Sequence, residues 1–130
     1  MYLLHMLWIR IAAALGFLGV ALGAFGAHAL KTRLAPEMLA AWHTGVLYHL
    51  IHALALLALA LYARAAVSQA SIAAPASILL PAAAFVLGIA LFSGSLYAMA
   101  LTGIRPLGAV TPFGGLAFLF AWGWIAVKAL

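Results

Sequence analysis

The chain has no cysteine, one acidic residue, Glu37, in 130 residues, and only 5% charged residues. Without cysteine there is no disulfide framework, no thiolate metal site and no cysteine nucleophile. A single carboxylate leaves no second acid for hydrolytic acid–base work, and no serine is placed with an acid-backed histidine. The expectation is that the protein is not an enzyme. The shortage of charge excludes more. A soluble domain carries charge on about a quarter of its residues, whereas this chain is 70% hydrophobic with a mean hydropathy of +1.29. So many apolar side chains cannot fit inside a small water-soluble core, and lipid must be the solvent for the rest. The six Lys and Arg give a formal charge of +5. They stand singly between apolar segments rather than in a stripe, which argues against nucleic acid and marks them as flanks of membrane spans.

Four apolar segments lie at about 11–29, 43–63, 78–101 and 112–128, each near the roughly 20 residues needed to cross a bilayer. Arg10 sits where the apolar centre of a signal peptide would be, so the first segment is expected to be retained as a span. The loops are short. The expected fold is an all-α, single-domain, integral membrane four-helix bundle, up-down-up-down, with both termini on one side. In the first segment Gly16, Gly19, Gly23 and Gly26 recur at helical spacing. They read as a groove for close helix packing, within the chain or across a homo-oligomer seam. Pro36 suits a first helical turn and Glu37 complements that helix's positive end. Pro81 likewise falls in a first turn, and Thr111 with Pro112 reads as an N-cap followed by the first helical residue. Trp122, Trp124 and Lys128 form an interfacial anchor. Arg10, Arg64 and Lys128 lie on one expected side, and Lys31, Arg33 and Arg105 on the other, so the positive-inside rule gives no orientation.

The chemistry-bearing stretch is the second segment. Trp42, Gly45, His49, His52 and Leu56 share one helical face. If Trp42 marks the interface, His49 lies about 10 Å and His52 about 15 Å inward, near the midplane of a core about 30 Å thick. Polar groups there must face protein, water or each other. Tyr48, His49 and His52, with Ser93, Ser95 and Tyr97 of the third segment, could line a polar track for a small solute, ion or proton. The same residues could instead be interhelical bonds that fix packing, with serine hydroxyls bonded to carbonyls one turn earlier. His28, Glu37, His43 and Arg105 collect on one surface, where Glu37 and Arg105 are within reach of each other. Imidazole suits transition metals, but His49 and His52 share one helix and His28 and Glu37 belong at the surface. No metal site is assigned, His49 and His52 remain the only metal candidates at depth, and no cofactor is expected; a bis-histidine haem would need facing helices.

The motifs LGAFGAH at Leu22–His28, Glu37, W-x-T-x-x-x-Y-x-x-x-H at Trp42–His52, FSGSLY at Phe92–Tyr97 and TPFGG at Thr111–Gly115 occur in this order along nearly the whole chain. Together they resemble the domain-of-unknown-function 423 family, also called uncharacterised protein family 0382, whose members are similar to transmembrane protein 256. The resemblance implies a small four-span membrane protein, in bacteria an inner-membrane one, with both termini cytoplasmic. It implies no activity. TPFGG itself marks a break or a close approach in the fourth segment.

Overall fold

A computed structural model describes residues 2–68 and 78–128. Helix α1 spans Tyr2–His28 and α2 spans Pro36–Ser68. The third crossing is built of α3 (Leu79–Gly88), a π turn (Ile89–Ser93) and α4 (Gly94–Thr102). A 3-10 turn at Arg105–Ala109 leads into α5, Thr111–Lys128. Four stretches, Leu3–His28, Pro36–Ala66, Leu79–Thr102 and Arg105–Lys128, are long and apolar enough to cross a membrane. The protein is an all-α membrane four-helix bundle.

Two boundaries differ from the sequence expectation. Helix α1 starts at Tyr2, not near Ile11, because Leu3–Ile9 holds no Gly or Pro and a single Arg10 interrupts hydropathy without interrupting a helix. Helix α2 likewise runs through Arg64 to Ser68. Of the second connection, expected at 64–77, residues 69–77 lie outside the described residues. Pro36 and Pro81 do fall in first turns. Thr111 is the first residue of α5 rather than a cap ahead of it, and its Oγ1 pairs with Ser95 Oγ at 2.7 Å. Gly103 ends α4 in the left-handed region, φ 72°, where glycine avoids the Cβ clash.

The helices form an inner and an outer pair. Helix α1 lies along α2, the third crossing lies between α2 and α5, and the two outer helices keep most of their surface uncovered. Lipid replaces water as solvent there, so packing of small residues must supply the association. A Cβ on Gly19 would come within 2.6 Å of Leu50 Cδ2, one on Gly23 within 3.2 Å of Val46 Cγ1, and one on Gly26 within 2.5 Å of Trp42 Cδ1. These three glycines form the α1 groove that receives α2. Gly16 does not belong to it, since nothing lies within 4 Å of its Cβ position; the i, i+3, i+4 spacing continues one turn beyond the contact.

The π turn is the feature that spacing along the third segment does not show. One extra residue in the turn re-aims the side chains of the helix beyond it. Ser93, fully buried, donates to the Gly45 carbonyl of α2 at 2.7 Å. On the other side, Gly114 of α5 packs directly on the backbone of Phe92. Gly114, in TPFGG, is therefore a close approach, and it brings α5 against the centre of the bundle.

At the surface, Arg105 Nη2 and Glu37 Oε1 are 3.5 Å apart with side chains 75% and 60% exposed. Such a pair is screened and entropically costly to hold. Glu37→Ala is expected to shift stability by no more than about 0.5 kcal/mol, read by thermal unfolding of the purified protein in detergent.

Candidate functional site

His49 and His52 are both buried, 4% and 5% exposed. One helical turn apart, they leave α2 on adjoining faces and meet different neighbours. His49 faces α1 and α4: its Nδ1 is 3.1 Å from the Tyr97 hydroxyl, and its ring lies beside Gly19. Its Nε2 is buried with no hydrogen-bond partner among the described residues. Tyr97 packs in turn on Trp42, ring centroids 4.7 Å apart.

His52 faces α5. Its Nδ1 is 2.7 Å from the Tyr48 carbonyl. A carbonyl only accepts, so Nδ1 carries the proton, and in the neutral ring Nε2 presents a lone pair. The imidazole lies flat on Phe118, centroids 3.5 Å apart and planes 7° from parallel, with Phe85 and Trp122 at its edges. Gly88 makes this possible, because any Cβ there would overlap the Phe118 ring. Tyr48, one turn before His52, stacks on Phe92 at 4.3 Å.

Between α2 and α5 these rings wall a groove of about 600 Å³, lined by Tyr48, His52, Phe92, Phe118, Leu119 and Trp122 and reaching Pro112 and Leu116. Its lining is almost wholly apolar. Leu116 is 62% and Leu119 69% exposed, so the groove opens sideways from the bundle. Tyr48, 38% exposed, has no hydrogen bond from its hydroxyl among the described residues.

The six residues proposed for a polar track thus divide. His49 and Tyr97 form one pair and Tyr48 and His52 another. Ser93 is committed to the Gly45 carbonyl, and Ser95 to the Phe92 carbonyl at 3.0 Å and to Thr111. The side chains do not join into one line. Of the surface group, only Glu37 and Arg105 meet; His28 and His43 are exposed, with His43 near Gly26. Among the described residues no three His, Cys, Asp or Glu come together, and His49 and His52 meet different neighbours, Tyr97 and Phe118. Sequence reasoning missed the α5 wall, although Phe118 and Trp122 stand four residues apart on one helical face. It also missed His5 and Trp8 on α1, whose Nδ1 and Nε1 are buried without partners among the described residues.

The fold and this interior define a small four-span integral membrane protein. Residues 22–115 match the family described as "Protein of unknown function (DUF423)". The chain is 42% identical over 123 residues to "UPF0382 membrane protein YwdK" of Bacillus subtilis, covering 95% of each chain. It is 43% identical over 121 residues to "UPF0382 inner membrane protein YgdD" of Escherichia coli, covering 92% of this chain and 86% of that one. A Staphylococcus saprophyticus relative, "UPF0382 membrane protein SSP2132", is 38% identical over 117 residues, covering 88% of this chain and 89% of that one. The chain belongs to the DUF423 (UPF0382) family of membrane proteins. No solved structure matches it.

Proposed function

We propose that the protein handles a small solute taken laterally from the bilayer, held in the groove beside His52, and that it binds this solute without transforming it. The groove carries the reading: it is roomy enough for a small molecule, it opens sideways, and a histidine lies among its aromatic walls. Sites of about 300–1,000 Å³ with few polar groups are typical for small ligands. The absence of catalysis is part of the proposal; the sole carboxylate, Glu37, is exposed and paired with Arg105, remote in sequence from His52. So is a cytoplasmic location for both termini, which rests on the family resemblance and is tested by terminal reporter fusions.

Leu119→Trp should fill the groove from its rim and leave stability within about 0.5 kcal/mol, as substitutions at exposed positions usually do. Organic extracts of the purified native protein are expected to contain a co-purifying apolar molecule at near-stoichiometric amount that the variant lacks. Identical extracts from both would overturn the reading. A second reading, an accessory subunit whose polar residues only pin helices, is favoured by the commitment of Ser93, Ser95 and Trp42 to backbone carbonyls. The uncovered outer face of α1, with Phe17, Leu18 and Val20, would then meet a second copy or a larger complex. Constant protein partners on purification, with no small molecule, would favour it.

A further inference from the structure

Resting on the groove's role as a binding site, we infer that its ligand is an aromatic alcohol dissolved in the bilayer, a phenol or hydroquinone head on an apolar tail, whose hydroxyl donates to His52 Nε2. Three observations converge on that chemistry. The first is the fixed direction of His52: its Nδ1 proton is held by the Tyr48 carbonyl at 2.7 Å, and the ring is clamped flat on Phe118. Turning the ring over would keep the stack on Phe118 but lose the Nδ1 bond to the Tyr48 carbonyl, so with that bond made the ring offers an acceptor, not a donor. Nε2 has no partner among the described residues, and it is not among the sealed, unpaired buried atoms. The complement of a lone pair in an apolar cleft is a hydroxyl.

The second observation is depth. His52 stands 15 residues after Glu37 and 12 before Arg64, about 22 Å and 18 Å along a helix. Phospholipid headgroups stay at the interface, beyond the hydrocarbon core about 30 Å thick. A polar group that reaches His52 must therefore be small and weakly polar enough to travel in hydrocarbon. The third is the wall. Tyr48, Phe92 and Trp122 offer ring faces and edges, and Tyr48 and Trp122 are 38% and 45% exposed. Flat rings pack against such surfaces in offset or edge-on geometry with a gain beyond area alone. An acyl chain would fill the same space but leave Nε2 unpaired.

The test compares 4-octylphenol with 4-octylanisole, which differ in the hydroxyl proton, titrated into the full chain in phosphatidylcholine nanodiscs and read by tryptophan fluorescence and melting temperature against empty discs. The phenol should bind about tenfold more tightly, the value of one hydrogen bond that spares a buried acceptor from going unpaired. In His52→Phe, which keeps a ring on Phe118, the ratio should fall to about one; in Leu119→Trp both should lose binding. Equal affinities in the native protein would overturn the aromatic-alcohol assignment and leave the groove standing as an acyl or apolar site. A preference that persists in His52→Phe would overturn the role of Nε2. No binding of either compound to the native protein would overturn the groove reading itself. If His52→Phe does not fold, the native ratio together with Leu119→Trp still decides.

Discussion

Gly114→Ala is expected to unseat α5 from the third crossing, at a net cost of up to about 2 kcal/mol. The local effect has the opposite sign: in a helix interior alanine is favoured over glycine by about 1 kcal/mol. Against it stands a collision. The new Cβ would overlap the Phe92 nitrogen and lie 2.7 Å from its Cα and Cβ. Backbone cannot rotate aside as a side-chain tip can, so α5 would have to move off the π turn, and overpacking of this kind costs about 1–3 kcal/mol or more. That movement would also carry Phe118 away from His52 and open the groove. Gly115→Ala is the internal control, because its nearest neighbour, Phe92 Cδ2, is at 3.9 Å, an ordinary contact. It should retain or slightly raise stability. Thermal unfolding in detergent separates the two, and equal melting temperatures would mean that α5 does not seat on Phe92.

The contrast between these neighbouring glycines shows how far the sequence could be read. Four apolar segments, their proline starts and the α1 glycine groove all follow from spacing, since period and length are local properties. The π turn is not local. Its residues, Ile89–Ser93, are ordinary helix-compatible types, and only the packing of Gly45 and Gly114 on either side reveals why the third crossing deviates. The histidines are a similar case. Spacing places His49 and His52 on one broad face, but a 3.6-residue period leaves positions three apart about 60° out of line. That angle suffices to send one ring to Tyr97 and the other to Phe118. The serines were legible only as two alternatives: Ser95 does bond the carbonyl one turn earlier, that of Phe92, whereas the carbonyl that accepts from Ser93 lies on Gly45 of another helix, which no local pattern shows. The groove was not legible at all, because its walls are contributed by residues far apart in sequence, Tyr48 from α2 and Trp122 from α5 among them.

Trp42→Ala should be the most damaging substitution in α2, at about 3–5 kcal/mol. Read from sequence, Trp42 marks a membrane interface; in the fold it is 1% exposed, packed with Leu30, Val46 and Ala100, and its Nε1 donates to the Leu22 carbonyl at 2.9 Å. The indole joins α1 to α4, lying against Gly26 on one side and Tyr97 on the other. Trp42→Phe keeps most of the volume and loses the hydrogen bond, so it should cost only about 1 kcal/mol. An interfacial tryptophan would show no such gap between the two variants. Gly26 supplies a sharper check. In the native protein Gly26→Ala drives a methyl to within 2.5 Å of Trp42 Cδ1 and Nε1 and should destabilise by about 1–3 kcal/mol. With Trp42→Ala already in place the space is free, and the same change should become neutral or favourable. The two effects are then non-additive, as expected for residues in direct contact. Additive melting-temperature shifts would instead mean that the α1 glycines do not receive the indole, and the helix pairing that positions His49 against Tyr97 would have to be redrawn.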